Sequence, residues 1–382
     1  MEKRSRILVI CYEFPPLGGG GAKVVHGVAR ELIKTGHSVD LVTMGYRGLP
    51  KEEVVDGINV YRVPCIRLKK SMCFFPEMIP YILMAFPVAL KLVKKNNYDI
   101  NHAHFIFPDG LISFLLFKIA KLPYVITAHG SDVPGYNPNR FKLLHVLLLP
   151  FWKCVTKNAA KLICPSRTIE RLILKSNGKV KTQCIPNGIE RNRFDGNQKK
   201  KNRILVVTRM FERKGVQHFL EAIRDNPFDV EINVVGDGPY LKTIRRIQKE
   251  KNIRANIVGF LDNKSAELKE LYETSRIFVF PSEAENFPIV LLEAMVAGMA
   301  IITTKNTGCA EVVGNEAVLV EPRDVAGIRQ ALEALVSNPE KCHELGQAAR
   351  KRIINHFSWD AVIPQISDVY DTIRKQGVRG SV

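Results

Sequence analysis

The chain lacks the cysteine spacing that a stapled or metal-organised fold would show. Its eight cysteines are scattered from Cys11 to Cys342, with no Cys-x-x-Cys pair and no grouped Cys/His set. Neither a disulfide framework nor structural zinc is expected, and a reducing, cytoplasmic compartment is. A secretory leader is not expected: the opening MEKRSRILVI meets Cys11-Tyr12-Glu13 before an apolar run of the needed length can form, and reads as a first strand. A clean membrane span is missing too. The most apolar segment, Cys73 to Val93, carries Glu77, Pro76, Pro80 and Pro87, which suits an interfacial or buried helix better than a spanning one. No glycine loop spells G-x-G-x-x-G, which disfavours a nicotinamide-dependent dehydrogenase. No helix-turn-helix, RNA-binding or zinc-finger pattern is present, so nucleic acid is not an expected partner.

Acidic residues are short relative to basic ones, 38 against 56, for a net charge of +18. The imbalance is uneven: up to Glu190 there are 27 Lys+Arg against 13 Asp+Glu, and beyond it 29 against 25. A length of 382 residues suits two domains, of which the first is the basic one, fit for an anionic membrane or an acidic substrate. Arg67, Lys69 and Lys70 precede the apolar segment, and Lys91, Lys94 and Lys95 close it. Two readings stay open: a core helix with a solvated end, or an amphipathic face lying on acidic lipid.

The most informative stretch runs from Ile277 to Thr304, IFVFPSEAENFPIVLLEAMVAGMAIITT. Ile277 to Phe280 is an apolar run without a polar face, as in a strand buried on both sides of a parallel sheet. Pro288 precedes a helix-forming run, Ile289 to Ala297, which Gly298 can end. A second buried strand, Ala300 to Thr303, follows. This is a βαβ crossover, and open α/β sheets bind ligands beyond the carboxyl ends of their strands, where the loop Ser282 to Phe287 falls. Two carboxylates mark the unit, Glu285 in the loop and Glu293 inside the helix. Glu293 needs either a partner such as a pair of hydroxyls or a first-turn position where the helix dipole stabilises it.

Other strand ends carry candidate chemistry. Ile7 to Cys11 leads through Pro15-Pro16-Leu17 into Gly18 to Gly21, a glycine loop opening a helix over Ala22 to Thr35, where backbone N–H groups can meet a phosphate or a sugar. His102 and His104 project from one face of the strand Tyr98 to Phe105; with no third ligand nearby they read as a hydrogen-bonded pair. Tyr124 to Thr127 delivers His129 to a strand's carboxyl end. Ile204 to Thr208 delivers Arg209 and Lys214, two cations able to hold a diphosphate. Glu231 to Val235 ends in a turn at Gly236, and Asn256 to Phe260 exits through Leu261. Thr307 to Glu311 reads as a loop.

PSEAENFPIVLLEAMVAGMAIITT resembles the Glu-x7-Glu segment of the retaining glycosyltransferases of family 4. PPLGGGGAKVVHGVARELIKTGHSVDLVT resembles that family's opening, and His102-Ala103-His104-Phe105 with Pro108-Asp109-Gly110 its strand and turn. The resemblance implies an α/β chain of GT-B architecture, two facing Rossmann-like domains with the ligand cleft between them. The domains fall at residues 1–190 for the acceptor and 203–358 for the nucleotide-sugar donor, with a linker at 191–202 and a terminal helix at 359–382 crossing back onto the first. It also implies roles: Glu285 and His129 at the donor sugar, Glu293 on the ribose, Arg209 and Lys214 on the diphosphate. Gly19, Gly20 and Gly236 join the donor contacts, and Phe260 and Leu261 frame the base. Asn286 and Pro288 stand where the family commonly has glycine. Proline has no N–H to offer a phosphate, so the amide cradle is reassigned to Phe287, Ile289 and Val290.

The implied activity is a metal-independent, cofactor-free transfer of a hexose, with retention, from a nucleotide-diphosphate sugar to a carbohydrate or lipid-linked acceptor. Two alternatives share these features, a nucleotide-sugar 2-epimerase and a non-catalytic nucleotide-sugar-binding protein.

Overall fold

A computed structural model describes residues 4–70, 72–136, 142–224 and 228–379. The chain divides into two compact units: Met1–Gly188 together with Trp359–Val382, and Ile189–Ser358.

The strands of the first unit are β1 (Arg6–Ile10), β2 (Ser38–Met44), β3 (Glu52–Val55), β4 (Ile58–Val63), β5 (Ile100–His104), β6 (Tyr124–Thr127), β7 (Lys161–Cys164) and β8 (Thr182–Cys184). Among the described residues they form one sheet in the order β3-β4-β2-β1-β5-β6-β7-β8. All pairs are parallel except β3 with β4. That antiparallel pair turns over Asp56-Gly57, both at positive φ, the Asp-Gly signature of a two-residue hairpin. β1 and β2 are buried along nearly their whole length, as helix-covered parallel strands must be.

The second unit holds β9 (Lys201–Val207), β10 (Glu231–Val235), β11 (Asn256–Gly259), β12 (Ser275–Phe280), β13 (Ala300–Thr304) and β14 (Val318–Val320). Their order is β11-β10-β9-β12-β13-β14, all parallel. Numbered within the unit this is 3-2-1-4-5-6, the doubly wound order, and β4-β2-β1-β5-β6-β7 repeats it in the first unit. Strand order reverses between β9 and β12, and between β1 and β5. Such switch points are where this fold binds ligands.

Three expectations change. Residues 191–202 are not all linker, because Lys201 and Asn202 already belong to β9. The expected loop Thr307 to Glu311 is a helix, Gly308–Val313, whose cap is the Thr307 hydroxyl accepting from Cys309 N. Arg67 is not a surface charge: its buried guanidinium donates to the carbonyls of Lys69 and Lys70, each at 3.0 Å.

The apolar segment forms the helix Phe75–Lys95, packed on the helix Asp109–Ala120 and on β2 and β4. It is long and apolar enough to cross a bilayer, yet Glu77 ties it into the unit, accepting from Leu68 N and Phe74 N, each at 2.8 Å. The terminal helix Trp359–Arg379 packs on the helix Gly20–Lys34. Its Trp359 indole lies between Gly27 and Gly188, where added Cβ atoms would fall 2.3 and 2.2 Å from the ring.

Asp109 opens its helix fully buried, its carboxyl facing the Tyr12 backbone and the Tyr81 hydroxyl. Burial raises its pKa well above the ordinary carboxylate range, so the folded chain holds this group neutral. The unfolded chain releases that proton above about pH 4, so the site's contribution to stability is complete below that pH and falls as pH rises. Asp109→Asn, which cannot ionise, should therefore show a thermal midpoint that gains on the wild type from pH 5 to pH 8. A difference that stays constant in scanning fluorimetry would contradict the buried neutral acid.

Candidate active site

In the second unit the switch point is built on a buried ion pair. Ser282 Oγ donates to Glu285 Oε1 at 2.7 Å, and Lys214 Nζ pairs with the same oxygen. Both charged side chains are only 11% exposed, and the ammonium lies 5.5 Å from the Phe280 ring centroid. Lys214 arrives on the short 3-10 turn Glu212–Lys214 after β9, which closes at Gly215 with φ of 72°. A Cβ at Gly215 would fall 2.0 Å from the Pro281 carbonyl oxygen, so turn and loop meet backbone to backbone. From the other side Gly308 N donates to Glu285 O at 2.9 Å, and a Cβ there would lie 1.7 Å from Asn286 O. The loop carrying Glu285 is held between two glycines.

Arg209 follows β9 and is exposed, its guanidinium 5.3 Å from the Phe211 ring centroid. Gly236 N donates to Gly259 O at 2.7 Å, joining the ends of β10 and β11. Phe260 stands 69% exposed beyond β11, whereas Leu261 packs partly on the core. The Phe287 side chain is core, edge-on to Phe357. Ile289 and Val290 are the first two residues of the helix Ile289–Val296, whose first-turn amides have no intrahelical acceptor.

The first-turn reading of Glu293 is corrected, and the partners its burial calls for are present within the protein. Glu293 is the fifth residue of an eight-residue helix, outside the first turn. Tyr272 OH donates to Oε2 at 3.0 Å and Arg193 Nη2 pairs with Oε1 at 3.0 Å. Phe194 stacks on Tyr272 with centroids 4.6 Å apart. Sequence reasoning had left Arg193 in a linker; only a buried acid a hundred residues away reveals its purpose.

In the first unit the glycine loop and His129 come together. Gly19 caps the helix Gly20–Lys34, its N–H donating to Glu13 Oε2 at 3.4 Å. A Cβ at Gly20 would meet nothing within 4 Å, while one at Gly21 would lie 2.8 Å from Phe105 Cζ and 3.8 Å from His129 Nδ1. Asp132 anchors the His129 loop, accepting from His129 N, Gly130 N and Ile106 N at 3.0, 2.9 and 2.7 Å. The Gly-Ser-Asp after His129 is the signal that could have found this anchor.

His102 and His104 are more than a pair. His104 Nδ1 lies 3.2 Å from His129 Nε2, and His102 bonds Thr127 Oγ1 at 2.8 Å and Tyr370 OH at 2.6 Å. The three imidazoles stack in series, with centroids 4.3 and 5.4 Å apart. Burial lowers all three pKa values, those of His102 and His129 to about 3. His129 therefore offers a neutral donor or acceptor, never a cation, near pH 7. Among the described residues no group of three or more His, Cys, Asp and Glu is placed to hold a metal.

Two doubly wound parallel sheets, each with polar groups gathered at its switch point, define a two-domain, Rossmann-like α/β protein. Residues 18–193 match the family described as Glycosyltransferase Family 4, and residues 188–352 match Glycosyl transferases group 1. The N-acetyl-alpha-D-glucosaminyl L-malate synthase of Bacillus anthracis is 26% identical, covering 99% of this chain and 100% of its own length. Among solved structures, the sucrose-phosphate synthase of Thermosynechococcus elongatus superposes with TM-score 0.81 at 23% identity, covering 97% of this chain and 99% of that one. The Anabaena protein HepE, solved with UDP and glucose, gives 0.76 at 17% identity, covering 96% and 100%. The chain belongs to the family 4 glycosyltransferases and has the GT-B fold.

His104 touches the imidazole of His129 and sets which of its nitrogens carries the proton. His104→Ala should lower kcat about 10-fold, the worth of one hydrogen bond to an oriented group, with donor KM little changed. His104→Asn, able to keep a bond to His129, should recover part of the loss; equal rates in Ala and Asn variants would leave His104 a packing residue.

Proposed function

We propose that the chain moves a hexose from a nucleotide-diphosphate sugar to a carbohydrate or lipid-linked acceptor, with retention and without a metal ion. We place it in the cytoplasm at an anionic membrane surface. The observation that carries the transfer reading is the Lys214–Glu285–Ser282 cluster at the carboxyl ends of β9 and β12. The UDP-glucose held by the Anabaena protein HepE in another solved structure is a donor of the proposed kind.

In the unliganded chain Lys214 neutralises Glu285. An arriving diphosphate competes for the ammonium and frees the carboxylate's negative charge for the sugar. As the glycosidic bond breaks, the leaving diphosphate gains charge and the anomeric centre becomes cationic. Lys214, Arg209 and the first-turn amides of Ile289 and Val290, with Phe287 N–H, stabilise the first; Glu285 stabilises the second. The two side-chain cations take the part that a divalent ion has in metal-dependent transferases. Glu293, oriented by Arg193 and Tyr272, takes the ribose hydroxyls. Gly236, Phe260 and Leu261 take the base. In the first unit the backbone of Gly19 and Gly20 and the neutral His129 imidazole meet the sugar. Retention follows if the acceptor attacks from the side the diphosphate leaves, guided by its oxygens, with no glycosyl-Glu285 intermediate.

Lys214→Ala should weaken nucleoside-diphosphate binding about 100-fold, because it removes a charge-assisted bond and also leaves Glu285 unpaired beside the anion. Arg209→Ala, at an exposed and screened position, should weaken it about 10-fold. Unchanged affinity in both variants, measured calorimetrically, would move the diphosphate elsewhere.

The two carboxylates should separate kinetically. Glu285→Gln lowers kcat, since its charge matters most in the transition state, whereas Glu293→Gln raises donor KM more than it lowers kcat. Glu293→Gln should also lower the thermal midpoint, because it leaves Arg193 without its buried counter-charge. A trapped glycosyl-Glu285 adduct would replace front-face attack by double displacement.

A further inference from the structure

The helix Phe75–Lys95 is apolar on its outer face as well as its inner one. A helix docked on a core turns its large apolar side chains inward; this one buries Glu77, Tyr81, Ala85 and Ala89 and exposes Ile79, Leu83 and Met84, Leu83 at 68%. Ile79, Leu83 and Pro87 follow one another at one-turn spacing, so they line one stripe. The approach to the helix extends it, with Ile66, Leu68 and Phe74 also exposed. Glu77 holds that approach against the helix by accepting the amides of Leu68 and Phe74. Of the thirteen large hydrophobic side chains that the described residues expose, six lie between Ile66 and Met84, which makes a patch rather than scatter.

Charge says what covers it. The exposed charges from Ile66 to Lys95 are Lys69, Lys70, Lys91, Lys94 and Lys95; the one acid in that stretch, Glu77, is buried. Pro87, Leu90, Lys91, Lys94 and Lys95 line an open, shallow hollow of about 460 Å³, which apolar and cationic side chains share. An isologous dimer through this patch would set like-charged lysine clusters against each other. A surface of anionic headgroups over hydrocarbon meets both features at once.

We propose that this face is the membrane-docking surface, with the helix Phe75–Lys95 lying in the plane of an anionic bilayer. Ile79 and Leu83 enter the acyl boundary, the loop side chains Ile66 and Leu68 wedge beside them, and the Lys91–Lys95 hollow takes a lipid phosphate. The inference rests on the membrane half of the function proposed above and is independent of its donor chemistry.

The full-length protein is floated with vesicles of phosphatidylglycerol in phosphatidylcholine, and with phosphatidylcholine alone, at low and high salt. The wild type should float only with the anionic vesicles and only at low salt. Lys91→Ala, Lys94→Ala and Lys95→Ala together should lower partitioning about 100-fold, at roughly fivefold per lysine. Leu83→Glu, at an exposed position that leaves the core intact, should abolish it, while both variants keep wild-type turnover of the nucleotide sugar. Inorganic phosphate should release the protein no better than chloride at equal ionic strength; selective release would make the hollow a free-phosphate site and overturn the docking role. Flotation of Leu83→Glu at the wild-type level would overturn the assignment of this face while membrane binding stood. A wild type that stays off anionic vesicles would overturn both, and wild-type dimers broken by Leu83→Glu would assign the patch to a second copy.

Discussion

The second unit's site depends on one requirement, that a carboxylate nearly withdrawn from water must not be left unpaired. Glu285 meets it through Lys214 and Ser282, and much of the local architecture follows. For Lys214 to reach the acid, the chain leaving β9 must turn at once against the chain leaving β12, and only a residue without Cβ fits where they touch, at Gly215. For the loop to hold the acid still, its carbonyls must be capped from the far side, which Gly308 N does. The exits of two adjacent parallel strands are thereby locked at the point where the strand order reverses. The site carries an internal ion pair that a stronger anion can rearrange.

How much of this was legible depended on how local the cause was. Strands buried on both faces announce themselves as apolar runs, so most of both sheets could be read, though β2 went unread despite its burial, and Pro288 before the helix Ile289–Val296 marked its start. The antiparallel β3 went unread although Asp56-Gly57 spells its turn, because Glu52 and Glu53 hide it in a polar tract. Glu285 and Lys214 were legible as singular residues at strand ends, but their pairing was not, since it joins residues 71 apart. Arg193 was invisible for the same reason: its partner Glu293 is a hundred residues away and the tract around it looks like solvent-facing linker. His102 and His104 were read as a hydrogen-bonded pair, whereas their rings stack and each bonds partners of its own. Their continuation to His129 and Tyr370 required knowing which strands are neighbours.

The helix Phe75–Lys95 shows a different limit. Its composition and length satisfy a core helix, an interfacial helix and a membrane span alike, and periodicity cannot say which stripe the protein buries. Packing decides. The close approach of the helix Asp109–Ala120 favours Ala85 and Ala89 on the inner side, and the larger side chains are left on the outer one.

The Trp359 indole, seated between Gly27 and Gly188, makes the first unit discontinuous in the gene. Its sheet is complete by residue 188, yet the piece that covers Gly27 and supplies Tyr370 to His102 follows the whole of the second unit in the chain. During synthesis the second unit has its whole sequence in hand while the first still waits with an open seam. The first unit therefore cannot close until the second has been translated.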